Sequence, residues 1–421
     1  MLNWDDPLAP LPNDTARAKT APVTADPVAA PATPASRPQM QTEERPLPAD
    51  PAETATTEAA APAAPAAAEM PPIARPEIQR PELNPVAAKP INPEDKRVVN
   101  GMADINQLAP FKYPWAWEYF LNANKNHWTP LDINMSQDIH DYNHKLTLEE
   151  RHVYENVLSY LTTSDILAMR NIGLAVMEKM TAPELQIYQA RQVYEESMHT
   201  WTYQHCIETL GLDQGEIYNR YRVVPEIHHK INLCNSKLET VLRADIDLTD
   251  RDELENFVMA YTFFAGVFEG TWFYNGFTPI FALQRRGLMK GTAEQLQYIM
   301  RDEVLHASFG IRVCNQSIIE ENLKLDPVAI QHMWEEAEAA EEAYARFLLP
   351  DPILGYSADD HIAQFRFVAN RRARKLNHKE PFPGAENALP WLDEQANLKK
   401  EKNFFETRVT EYQTGGALSW D

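Results

Sequence analysis

Cysteine is nearly absent. The three in 421 residues (Cys206, Cys234 and Cys314) are too few and too scattered for a disulfide framework or a thiolate metal site. Basic residues are the minority, 39 Lys and Arg against 61 Asp and Glu, for a formal net charge of −22. That balance argues against nonspecific binding to nucleic acid, whose phosphates need cations, and its plainest use is solubility. No uninterrupted apolar run approaches membrane-spanning length, and no basic segment followed by an apolar one opens the chain. A cytoplasmic protein that does not enter membranes is expected. Aromatic residues are nearly missing from the first quarter, where Trp4 is the only one before Phe111. That stretch instead holds twenty of the 32 prolines, and residues 47–72 are nearly all Ala, Pro, Glu and Thr. Such a segment cannot bury enough apolar surface to offset the entropy of ordering it. Residues 1–95 are therefore expected to be disordered, residues 96–375 to form one compact domain, and residues 376–421 to be a flexible tail.

Strand signals are also lacking after residue 96, where apolar and aromatic residues recur at three- and four-residue spacing. Four long helices are predicted, at roughly 147–178, 182–211, 251–286 and 292–322. Thr147-Leu-Glu-Glu150, Thr249-Asp-Arg-Asp252 and Thr292-Ala-Glu-Gln295 read as capping boxes or near variants. Pro183 and Pro327 stand where a first helical turn accepts proline. The pattern means an all-α bundle.

Two of these helices repeat one motif: Glu196-Ser-Met-His199 on the second and Glu303-Val-Leu-His306 on the fourth. A spacing of three puts both side chains on one face, a turn apart, within reach of one metal. The other two helices each carry an acid inside an apolar stretch, Asp165 and Glu269. A lone carboxylate in such surroundings is costly without a partner. One acid from each of two helices and Glu-x-x-His from the other two is the ligand set of ferritin-like dimetal proteins, with Asp165 a shorter acid than usual. A single Glu-x-x-His is common on solvated helix faces; two, with buried acids on both remaining helices, are not. His205, His228, His229 and His332 lack such partners and read as structural or surface residues.

Tyr203 follows His199 by one turn on the same face. An ordinary core tyrosine would satisfy that spacing too, so spacing alone leaves its role open. Beyond Glu269 the chain reads Trp272-Phe273-Tyr274-Asn-Gly-Phe277, and Ile299 lies one turn before Glu303. Phe273, Phe277 and Ile299 could wall off an oxidised phenol from water.

From about residue 101 to the end, the chain resembles the β subunit of class I ribonucleotide reductase. The resemblance rests on Asp104-Ile-Asn-Gln-Leu with Trp115-Ala-Trp117, Glu195-Glu-Ser-Met-His199-Thr, Arg301-Asp-Glu-Val-Leu-His306 and Asn403-Phe-Phe-Glu-Thr-Arg-Val-Thr-Glu-Tyr412. It implies a ferritin-like domain whose ligands are Asp165, Glu196, His199, Glu269, Glu303 and His306, two iron ions, dioxygen as oxidant, and a radical on Tyr203. It further implies a transfer route through Trp128, linked by Asp302 to His199, and on through Tyr412 to the large α subunit. A homodimer is the family expectation. Some members of the branch with a similar tail and Trp115–Trp117 region carry Phe in place of Tyr203 and use a manganese–iron pair, which stands as the alternative cofactor. A stand-alone dimetal oxidase or monooxygenase would explain the ligands but not the tail, and a ferritin-like iron-binding protein would not explain the aromatic shell.

The tail ends in Ala417-Leu-Ser-Trp-Asp421, a reasonable docking peptide with apolar anchors. Leu-x-Trp-Asp also opens the chain, as Leu2-Asn-Trp-Asp5. Coincidence is the plain reading; the sharper one is that the first copy imitates the docking tail and competes with it or adds valence.

Overall fold

The computed structural model describes residues 92–101, 106–243 and 245–397. Tyr412 and both Leu-x-Trp-Asp copies lie outside the described residues, as does nearly all of the Pro-rich extension. Among the described residues there is no strand. Two short helices come first, α1 (Pro114–Ala123) and α2 (Ser136–His144), then the long α3 (Leu148–Asn171). A π-helical turn, Ile172–Val176, joins α3 to the short α4 (Met177–Lys179), and α5 (Pro183–Thr209) returns beside it. Next come α6 (Gln214–Val223), α7 (Pro225–Leu242) and α8 (Arg251–Thr262). A long π-helical segment, Phe263–Phe273, leads without a break into α9 (Tyr274–Arg285). The fold closes with α10 (Lys290–Glu320), α11 (Pro327–Leu348), α12 (Ala358–Lys375) and α13 (Pro390–Asn397). The four predicted long helices are thus α3 with its extension, α5, the α8–π–α9 run, and α10.

Their starts follow the local chemistry, with two corrections. Thr147 and Glu150 form the predicted capping box, each side chain bonded to the other's backbone N–H. At the third long helix the cap is Asp250 rather than Thr249, and its carboxylate accepts from the N–H groups of Asp252 and Glu253. At α10 the predicted box at Thr292 does not form, because the helix begins earlier, at Lys290. Its free N–H groups are bound instead by a buried acid from α2, Asp138, which accepts from Gly291 N at 2.8 Å and Thr292 N at 2.7 Å. A cap supplied from 153 residues away leaves no trace in the local sequence. Gly291 permits it, since a Cβ there would lie 2.7 Å from Met135 Sδ and 2.9 Å from Asn134 O.

Residues near the site fix the register of the bundle. Asp165 faces His199, Met169 faces Ser197 and Gly173 faces Val193, so α3 and α5 run antiparallel. The π segment packs against α10 at Gly310, where an added Cβ would meet Ala265 Cβ at 2.5 Å. Widening to a π-helix leaves backbone acceptors to be bound by side chains, and such segments favour functional sites. Here Thr271 Oγ1 donates to Gly266 O at 2.8 Å, and Arg372 Nε donates to Gly270 O at 2.7 Å. The same segment is pinned from behind by a buried ion pair. Lys230 Nζ lies 2.5 Å from Glu341 Oε2 and over the rings of Tyr160, Trp272 and Tyr344.

The packed region also passes the boundary expected at residue 375. Leu376 and Leu389 are buried, and Asn370 bonds the backbone of Phe382 from both sides, at 2.6 and 2.9 Å. Anchors at 376, 382 and 389 fit no helical or strand period, so periodicity could not reveal them.

Candidate metal centre

The bundle carries its acids inward. Asp165 on α3, Glu196 and His199 on α5, Glu269 in the π segment, and Glu303 and His306 on α10 are all 0–1 % exposed. Two overlapping ligand sets result. One joins Asp165, Glu196, His199 and Glu303, the other Glu196, Glu269, Glu303 and His306, and within each set one donor atom per residue lies within 4.8 Å of the others. Glu196 and Glu303 belong to both. Both imidazoles turn Nδ1 inward: His199 Nδ1 lies 3.1 Å from Asp165 and 3.2 Å from Glu303, and His306 Nδ1 lies 3.1 Å from Glu196.

The chemistry of this cluster demands cations. Asp165 Oδ2, both carboxylate oxygens of Glu196 and of Glu303, and His306 Nδ1 are buried without a hydrogen-bond partner. The two imidazoles are the only cationic partners that the four carboxylates have within the cluster, and a buried carboxylate left without a cation costs several kcal/mol. Burial pushes the Asp165 and Glu269 carboxyls well above the carboxylate range. Burial would push Glu196 up as well, but the imidazoles of His306 and His199 draw it down to about 2. Burial opposes charge on the two imidazoles, yet the surrounding carboxylates outweigh it and raise both well above the usual histidine value. Without metal the centre therefore holds protons at neutral pH. Two divalent ions would displace those protons and match the four carboxylates in charge. Metal uptake should accordingly release protons and weaken as pH falls. Calorimetric titration in buffers of different ionisation enthalpy measures that release; none at neutral pH would contradict this charge balance.

The outward nitrogens are held as well. His199 Nε2 lies 3.1 Å from Asp302 Oδ2, which also accepts from Trp128 Nε1 at 3.3 Å, while Asn126 donates to Asp302 Oδ1. The indole of Trp128 stacks on Tyr298 at 5.5 Å and near His199 at 6.4 Å. His306 Nε2 lies 2.8 Å from Glu195 Oε2, and Gln192 donates to Glu269 at 2.6 Å. Sequence reasoning placed Asp302 but missed Glu195, Gln192, Asn126 and Tyr298. The doubled acids Glu195-Glu196 and Asp302-Glu303 were the available signal for Glu195.

Tyr203 is fully buried and its hydroxyl has no hydrogen-bond partner. Burial, then the charges of Asp165, Glu303 and Glu196, hold its phenol well above the ordinary value. Phe273, Phe277 and Ile299 are buried completely, and Phe268, Phe273 and Phe277 form a string with centroids 5.1 and 6.3 Å apart. His332 is a surface residue 3.0 Å from Glu336.

A helical bundle aiming four carboxylates and two imidazoles at one buried point defines a ferritin-like dimetal-carboxylate protein. Comparison with known proteins narrows this class. A family profile described as "Ribonucleotide reductase, small chain" matches residues 105–390. The ribonucleoside-diphosphate reductase subunit beta of Chlamydia pneumoniae is 38% identical over 338 residues, which span 79% of this chain and 97% of that one. The small subunit of Dictyostelium discoideum is 31% identical over 74% of this chain and 87% of its own. In fold, the chain is similar to a ribonucleotide reductase R2 subunit from Clostridium botulinum, with a TM-score of 0.65 at 21% identity over 72% and 95% of the two chains. The chain belongs to the ribonucleotide reductase small-chain family. No described helix is long and apolar enough to cross a membrane.

Proposed function

We propose that the chain is the radical-generating subunit of a class I ribonucleoside-diphosphate reductase, that its centre would hold two iron ions, and that Tyr203 is the residue their dioxygen chemistry would oxidise. The observation that carries this reading is Tyr203 itself, buried one turn beyond His199 and in the field of three ligand carboxylates, with a hydroxyl bonded to nothing. When bound, the metal pair supplies the oxidising power and the place where dioxygen is reduced. Asp165, Glu196, His199, Glu269, Glu303 and His306 would hold the ions. Tyr203 gives up one electron and one proton together, since burial disfavours the tyrosinate. Phe273, Phe277 and Ile299 keep water and reductants from the resulting neutral radical. Asp302 joins His199 to Trp128 and starts the route by which the oxidising equivalent leaves. Tyr412 carries it to the large subunit, docked on the tail that ends at Asp421, where ribonucleotides are reduced to deoxyribonucleotides.

The test is an electron paramagnetic resonance spectrum after ferrous iron and air are added to metal-free protein. A tyrosyl-type signal is expected. If instead only manganese plus iron gave a coupled metal spectrum and activity with the large subunit, the family would stand and the diiron assignment would fall, because ligand type separates first-row metals poorly.

A small subunit of this family pairs with the large subunit and forms a dimer. The outer faces of α3 and α5 offer the surface for a second copy. Ile166 on α3 and Leu174 in the π-helical turn that follows it are 40% and 61% exposed, Tyr194 and Trp201 on α5 51% and 41%, and the antiparallel register sets the two helices side by side. Exposed apolar patches of this kind mark interaction sites. Trp201→Glu should convert the dimer to monomer in analytical ultracentrifugation; a dimer of unchanged affinity would place the interface elsewhere.

A further inference from the structure

The two imidazoles of the centre are braced in a reciprocal way. On α5 and on α10, the acid just before the shared ligand glutamate reaches the histidine of the other helix: Asp302 reaches His199, and Glu195 reaches His306. Beyond that the two braces differ. Asp302 is bonded to the Trp128 indole and the Asn126 amide. Glu195 is held by a cation, with Arg191 Nε donating to its Oε1 at 2.9 Å and Arg191 Nη2 donating to Ala123 O at the end of α1, at 3.3 Å. Glu195 is 1% exposed, and the Arg191 side chain 13%.

We propose that Glu195, fixed by Arg191, is the positioning residue for the metal bound through His306, and that it acts on that metal alone. The inference rests on the dimetal reading above. A neutral imidazole that binds metal through Nδ1 must keep its proton on Nε2, and a carboxylate accepting that proton selects the tautomer and fixes the ring plane. Glu195 Oε2 stands where such an acceptor is needed, 2.8 Å from Nε2. Arg191 holds the other oxygen, so the carboxylate does not swing inward and compete with Glu196 as a ligand. The guanidinium also cancels its charge, so the brace adds no net negative charge to a centre whose four ligand carboxylates already match two divalent ions.

The test is a cobalt(II) titration of metal-depleted, full-length protein, followed by visible absorption, with the fold of each variant checked by circular dichroism. The wild type should bind in two steps. Glu195→Ala should weaken one step roughly 10–100-fold and leave the other unchanged. Glu195→Gln, whose amide oxygen still accepts from Nε2, should recover most of the loss, and it decides the matter if the alanine variant fails to fold. A double-mutant cycle identifies the site. In a His306→Ala background the Glu195 substitution should add nothing, while in a His199→Ala background it should add its full loss. Equal losses in both backgrounds, or unaltered binding in Glu195→Ala, would overturn the proposal. A wild type that binds fewer than two cobalt ions would instead sink the dimetal reading on which it rests.

Discussion

Tyr203→Phe should abolish the tyrosyl signal and bring activity with the large subunit down to background, while both metals still bind and the metal-free fold is no weaker. The two halves of this expectation have one origin. The Tyr203 hydroxyl is buried and bonded to nothing in the metal-free protein, and an unsatisfied buried hydroxyl costs about 1–3 kcal/mol. Phenylalanine keeps the ring and discards that cost, so the melting temperature of the metal-free variant should stay level or rise by a few degrees, at roughly 2–4 °C per kcal/mol for domains approaching this size. A group that weakens the fold and supports one reaction is what a functional residue looks like in thermodynamic terms. Other buried tyrosines provide the control. Tyr188 also has an unpartnered hydroxyl, and the charges that act on it include Glu195 and Glu269. Tyr188→Phe should retain the signal. A signal that survived Tyr203→Phe and vanished in Tyr188→Phe would move the radical to the other side of the centre.

The ligand helices and the ligands themselves were legible because they depend on local spacing. Three-residue steps in Glu196–His199 and Glu303–His306 determine a shared helical face, and an acid in an apolar stretch, such as Asp165, has few inexpensive explanations. What sequence spacing did not reveal depends on tertiary contact. The cap of α10 comes from Asp138, and the acceptor for His306 comes from α5. The π-helical geometry around Glu269 is stabilised by Arg372, about a hundred residues further along the chain. Phe263–Phe273 reads as one more apolar helical stretch, since a π turn adds a residue without changing composition. Trp128 falls between these cases. Its route to His199 through Asp302 followed from the family resemblance, and only the fold brings the indole to 3.3 Å from the carboxylate.

Removing a shared ligand should cost more than removing an unshared one, and in a distinctive order. Glu196 and Glu303 belong to both ligand sets, whereas Asp165 and Glu269 belong to one each. Glu196→Gln should therefore lower occupancy at both positions, and Asp165→Asn at one, as read by metal analysis after gel filtration. Metal that binds only the folded state stabilises it by about 4 kcal/mol per site at a thousandfold excess over Kd. Stripping both ions from the wild type should then lower the melting temperature by roughly 10 °C or more. In the metal-free state the order of the variants changes. Glu196 titrates near 2 because two imidazoles hold it ionised, so its contribution is present above the unfolded carboxylate value and lost only as pH falls through about 2. Glu196→Gln should thus destabilise metal-free protein at neutral pH. Asp165 and Glu269 are shifted upward, so ionising them opposes folding, and their contribution is lost as pH rises through the raised values. Asp165→Asn and Glu269→Gln should leave the metal-free protein as stable as before or more so, while each still loses metal. Equal destabilisation by all three substitutions in scanning calorimetry would mean that packing, rather than charge, holds the empty centre together.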